Sequence, residues 1–204
     1  IFGEINQSRF PNTKIHVIYQ PVGVVAALVP WNFPVILASR KISTALAAGC
    51  SVIVKPDVIT PGSVMEIVDI CREAGVPPGV VNVLPSRSSG AVVSGMLSDP
   101  RVRVVSFTGS TEVGRKLLHA AADNIVKPAM ELGGNAPFIV CKDANIEAAA
   151  DGLMMAKMRN LGEACTAANR IYVHESVKDK FIAIFSNCLS KPLSNPFAAP
   201  ERAI

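Results

Sequence analysis

The stretch Val22-Gly23-Val24-Val25-Ala26-Ala27-Leu28-Val29, stopped by Pro30-Trp31-Asn32, leads through residues 35–48 and Gly49 to Ser51-Val52-Ile53-Val54. An apolar run of that length, closed by a proline, suits a buried strand better than a helix. Residues 35–48 suit a helix ended by Gly49, and the second short run ends at Lys55-Pro56. Two buried strands joined by a helix form a βαβ unit, which requires a parallel sheet.

The alternation continues outward. Residues 62–74 read as a helix with Val64, Ile67, Val68 and Cys71 on one face and Gly75 as its cap. Residues 80–84 form a third strand, 91–97 a short helix, 103–107 a fourth strand and 111–122 a further helix. Right-handed crossovers then set the strand ends carrying Pro30, Lys55, Leu84 and Thr108 along one rim, where such sheets bind ligands. Beyond Val126, residues 127–132 and 137–141 read as strands around Gly133-Gly134. Asn145 caps a helix to Arg159, followed by a strand at 170–174 and a helix at 176–189. Residues 14–20 are extended, and the aperiodic end after residue 190 reads as a disordered tail.

Composition narrows the class. The chain has 204 residues, half of them apolar and 5% aromatic, which suits an α/β interior of Ala, Val, Ile and Leu. A net charge of +4 without a basic run argues against nucleic acid as a partner. Five cysteines without a Cys-x-x-Cys pair argue against a disulfide framework or zinc site and for a reducing, cytoplasmic setting. No apolar run approaches the roughly 18 residues of a membrane span.

Four clusters carry chemistry. Phe107-Thr108-Gly109-Ser110-Thr111-Glu112-Val113-Gly114 reads as strand, tight turn and helix start. Free N–H groups and the helix dipole at such a turn suit a phosphate, although a purely structural glycine is the ordinary alternative. Lys55, at a strand end on the same rim, is either solvated or a partner for a ribose or phosphate. Asn32, held between Pro30 and Pro34, can donate to an oxyanion, or can simply belong to a rigid turn. Cys165 follows Gly162 in a turn, with Glu131 upstream as a carboxylate base. It is either a nucleophile or one more small buried hydrophobe.

Pro30-Trp31-Asn32-Phe33-Pro34, Lys55-Pro56, the Phe107 to Gly114 segment, Glu131-Leu132-Gly133-Gly134 and Gly162-x-x-Cys165 together resemble the aldehyde dehydrogenase superfamily, in order and spacing, over roughly residues 14–190. The resemblance implies a Rossmann-like parallel sheet for the cofactor and the beginning of a second α/β catalytic domain. It implies that Cys165 adds to an aldehyde to give a thiohemiacetal, and that Asn32 with the Cys165 N–H holds the oxyanion. Loss of hydride to NAD or NADP leaves a thioester, which water activated by Glu131 hydrolyses. Trp31, Lys55, Gly109, Ser110 and Gly133 fall at cofactor positions. Arg40 and Arg159 fall where the succinate-semialdehyde dehydrogenase branch grips the distal carboxylate of a short carboxylated aldehyde. A planar guanidinium suits that task.

Three departures qualify the likeness. Glu163 stands where many members have glutamine. Val58 stands where many NAD-preferring members place a glutamate for the ribose hydroxyls, which makes NADP plausible beside NAD. Ala167 removes the neighbouring cysteine that some members use as a redox partner. The resemblance implies a division into a remnant of an N-terminal oligomerisation segment (1–22), an NAD(P)-binding domain (23–132), the start of a catalytic domain (133–190) and a tail (191–204). A central fragment of a homo-oligomeric enzyme, with little activity by itself, is therefore expected. Two rivals stay open, a non-catalytic nucleotide-binding remnant and acyl transfer to coenzyme A; Glu131 argues against the second.

Overall fold

The computed structural model describes residues 3–190, so the tail expected after residue 190 lies outside the described residues. The chain divides into two compact units, one up to Leu132 and one from Gly133. The first opens with an antiparallel hairpin of β1 (Glu4–Gln7) and β2 (Lys14–Val17), of which the sequence showed only the second strand. Its body is a parallel sheet of β3 (Val24–Leu28), β4 (Val52–Lys55), β5 (Val81–Val83), β6 (Val102–Gly109) and β7 (Lys127–Leu132). The spatial order is β5-β4-β3-β6-β7.

The alternation of side chains along β3 explains why helices cover both faces. Val25 and Ala27 pack with Ala38, Ile42 and Ala45 of α1 (Pro34–Ala47) and Val64 of α2 (Pro61–Glu73). Ala26 and Leu28 pack instead with Met96 and Leu97 of α3 (Ser89–Ser98) and Leu117 and Ala121 of α4 (Thr111–Asp123). Sequence order therefore reverses between β3 and β6, and a cleft opens at such a switch point, outside the carboxyl ends of the strands.

Helix ends follow local rules, with one exception. After α1, Gly49 takes a φ of 72°; its N–H donates to the Leu46 carbonyl and that of Cys50 to the Ala45 carbonyl, both at 2.9 Å. After α4 the same two bonds form from Ile125 and Val126, so a β-branched residue holds a φ of 52°. The left-handed region costs such a residue roughly 1–2 kcal/mol.

The second unit pairs β8 (Ala136–Val140) with β9 (Ala168–Val173) in parallel, joined through α5 (Ile146–Met158) and followed by α6 (Lys178–Ser190). Val140, Ile146, Ala150, Leu153, Ala168 and Phe181 form its core. Asn145 caps α5 as expected, its Oδ1 accepting the Ala148 N–H at 3.0 Å. Helix α6 starts two residues later than the sequence suggested, because residues 175–177 form a 3-10 turn whose His174 Nδ1 accepts the Ser176 N–H. Among the described residues no helix is long and apolar enough to cross a membrane.

Candidate functional site

Parallel register fixes the rim of the first unit. Leu28 at the end of β3 is level with Lys55 and Phe107, and Thr108 is level with Glu131. Between the ends of β3 and β6 lies a cleft of about 630 Å³ lined by Pro30, Trp31, Lys55, Thr108, Gly109 and Ser110. Leu84, placed on the same rim by the sequence, does not line it. A larger depression of about 730 Å³ sits at the opposite ends of the strands, around Gly23, Gly49, Arg101 and Arg103. Among the described residues no helix N-terminus lines it, so the β3–β6 cleft is the better ligand site.

The cleft has the fittings of a nucleotide site. Ser110 caps α4, its Oγ accepting the Val113 N–H at 3.3 Å, which leaves its own hydroxyl proton to donate. The first N–H groups of α4 have no partner inside the helix, and the dipole makes that end attractive to phosphate. At Gly109 a Cβ would collide with the Phe107 ring, which glycine spares a displacement. Lys55 is buried at 7% exposure, and Trp31, the single tryptophan, stands 40% exposed on the wall. The buried Thr108 Oγ1, on the cleft lining, has no hydrogen-bond partner among the described residues. Such an orphaned hydroxyl costs free energy that a polar ligand can recover. The residues present thus fit a dinucleotide.

Asn32 is half-buried in the turn before α1, where Pro34 opens the helix at a position that needs no N–H. Arg40 projects exposed from α1. Glu131 is exposed near the end of β7.

The next residue of α1, Lys41, is only 8% exposed, and its Nζ donates to the Ser106 Oγ at 2.8 Å. Burial pushes its pKa down from 10.5 to about 8, against the opposing pull of the Glu131 charge. Sequence reasoning passed over Lys41, although its spacing from Ala38, Ile42 and Ala45 put it on the buried stripe of α1. Asp57, which lines the cleft, was likewise not singled out, and Thr108 was set on the rim without a ligand role of its own.

Cys165 belongs to the second unit and is exposed, as a free thiol. The chain reaches it through three consecutive left-handed residues, Asn160 (φ 51°), Leu161 (φ 56°) and Gly162 (φ 85°). The Glu163 N–H then donates to the Asn160 carbonyl at 3.1 Å, and the Ala167 N–H closes a turn over Cys165 onto the Ala164 carbonyl at 2.9 Å. Gly134 passes the backbone of this turn, a Cβ there standing 3.6 Å from the Cys165 carbonyl oxygen. Asn169 Nδ2 donates to the Gly134 carbonyl at 3.4 Å, and Arg170 Nε to the Asn135 carbonyl at 3.0 Å. Gly133 opens this tethered segment. Arg159 lies exposed at the end of α5.

Known proteins carry the same pattern. The model of the aldehyde dehydrogenase family matches residues 1–199. An Escherichia coli K12 succinate-semialdehyde dehydrogenase (NADP+), GabD, is 45% identical over 191 residues, 94% of this chain and 39% of that protein. A glutarate-semialdehyde dehydrogenase of Pseudomonas aeruginosa is 46% identical over 182 residues, 89% of this chain and 38% of that protein. The crystal structure of succinate-semialdehyde dehydrogenase from Burkholderia pseudomallei superposes with a TM-score of 0.90 at 43% identity, over 93% of this chain and 39% of that chain. The chain thus spans about two-fifths of the length of the relatives it matches. The fold is shared over that span, and the chain belongs to the aldehyde dehydrogenase family.

Proposed function

We propose that the chain carries the residues for NAD(P)-dependent oxidation of a short carboxylated aldehyde, succinate semialdehyde in the first instance, to the acid. The observation that supports this best is the β3–β6 cleft, where an unpartnered Thr108 hydroxyl, a capped helix N-terminus and buried Lys55 surround one space. A nicotinamide dinucleotide bound there supplies the electron acceptor. Trp31, Lys55, Gly109 and Ser110 hold it, with Gly133 as a further cofactor position. Either NAD or NADP can fill this role.

The thiolate of Cys165 adds to the aldehyde carbon. The oxyanion is met by the Asn32 amide and the Cys165 backbone N–H. Oxidation leaves an acyl group on the Cys165 sulfur, and Glu131 takes a proton from the water that hydrolyses it, returning the thiol and releasing the acid. Arg40 and Arg159 are the residues we assign to the far carboxylate, which a guanidinium binds through two hydrogen bonds. The two relatives described above are named for succinate and glutarate semialdehydes, both aldehydes with a distal carboxylate. Five free thiols suit a reducing compartment such as the cytoplasm, and the active assembly is a homo-oligomer in this reading.

The test is formation of reduced nicotinamide from succinate semialdehyde and NAD or NADP, with Cys165→Ala as the control. Product that depends on Cys165 supports the reading. A folded chain that binds dinucleotide and gives none is a nucleotide-binding protein instead.

A further inference from the structure

Among the described residues lining the β3–β6 cleft, Asp57 is the one carboxylate. It lies two residues beyond Lys55, just past the end of β4. Its Oδ1 accepts the Ile59 N–H at 3.0 Å, a local turn that pins the side chain. The other oxygen has no hydrogen-bond partner among the described residues. Val58, the next residue, is half exposed and does not line the cleft. The negative charge that faces the cleft is therefore that of Asp57.

The two ends of the cleft ask for different chemistry. At the β6 end the Ser110-capped start of α4 attracts anions. At the β4 end a carboxylate repels them and accepts from hydroxyls. A dinucleotide satisfies both when its diphosphate takes the α4 end and a ribose takes the β4 end. Lys55 beside Asp57 supplies a donor for the same sugar.

We propose that Asp57 sets cofactor preference by accepting an adenosine-ribose hydroxyl of NAD and repelling the 2′-phosphate of NADP. The inference rests on the cleft being a dinucleotide site. It assigns the preference to Asp57 and leaves Val58 a bystander.

The experiment titrates NAD and NADP separately into the 204-residue chain, followed by calorimetry and by the emission of Trp31, which stands on the cleft wall. Asp57→Asn keeps an oxygen for the Ile59 N–H while removing the charge, and Asp57→Ser provides a second variant with a turn-forming hydroxyl. The wild type is expected to bind NAD more tightly. In both variants the Kd(NADP)/Kd(NAD) ratio should fall about tenfold, since one charge removed near a phosphate dianion is worth roughly that much at intermediate dielectric. Val58→Thr should leave the ratio unchanged. A ratio that moves less than about twofold in folded Asp57 variants that still bind NAD overturns the assignment. Failure of the folded wild type to bind either dinucleotide overturns the cleft reading itself, and Asp57 with it.

Discussion

Lys55 and Thr108 are buried at strand ends, level in the sheet with Leu28 and Glu131, whereas Cys165 stands exposed at the end of a left-handed run. The first pair is held by the packing of helices on both faces of five parallel strands. The second position is held by backbone dihedrals and a few turn and loop hydrogen bonds. The difference teaches how the two halves of the chemistry should fail. Changes at the rim disturb folding and cofactor affinity together, while changes in the loop reach the thiol and leave the fold intact.

Cys165→Ala is the sharpest separation. Removing the nucleophile should lower turnover at least about 10³-fold, while NAD affinity and the unfolding midpoint stay at wild-type values. Steady-state rates set beside calorimetric titration would show it, and a parallel loss of NAD affinity would break the contrast. Gly109→Ala should do the reverse, because its methyl group meets the Phe107 ring. A loss of about 1–3 kcal/mol in denaturant unfolding is expected, with weaker dinucleotide binding.

Lys41, buried against Ser106 of β6, gives the first unit a pH signature. Its folded pKa, about 8, lies below the ordinary 10.5, so the native state disfavours the charged form relative to the unfolded chain. Below about pH 8 the fold carries the full cost of a charged ammonium in a dry site. Between 8 and 10.5 the unfolded chain holds a proton that the native state has released, and stability rises with pH. Allowing for solvent screening, the gain is on the order of 2 kcal/mol. Lys41→Met should be more stable than wild type at pH 7 and should lack this rise. Equal pH slopes in the two proteins would remove Lys41 as the cause.

The smallest effect concerns dihedrals alone. Ile125 is 85% exposed at a φ of 52°, so Ile125→Gly should stabilise the first unit by about 0.5–1 kcal/mol. Leu161→Gly, at a φ of 56° in the loop before Cys165, should gain a similar amount and also loosen the thiol. Thermal melts would read the first effect and alkylation rates of Cys165 the second. Unchanged alkylation would mean that the loop dihedrals do not govern the thiol.

The strands and helices were legible because their signals are local. The apolar run at residues 24–28, the Gly49 stop and the Asn145 cap each sit within a few positions of the element they define. The hairpin strand β1 was not legible, since Glu4–Gln7 is wholly exposed and pairs only across a turn. Lys41 was missed because a lysine in the buried stripe of a helix contradicts the pattern used to find the stripe. The Ile125 cap gave no sign either, for a β-branched residue is the opposite of what a left-handed position predicts.

By itself the sequence determined the alternating α/β order and the sequence spacing of Trp31, Lys55, Ser110, Glu131 and Cys165, since hydrophobic period, caps and motif spacing are properties of neighbouring residues. Only the tertiary structure decided which of them share a space. It brought Lys55 and Ser110 to one cleft with the unpartnered Thr108 hydroxyl, buried Lys41 against Ser106, and put Asp57 rather than Val58 on the lining. The physical reason is that adjacent residues past a strand end can face opposite directions, so an offset of one position reverses whether a side chain meets ligand or solvent.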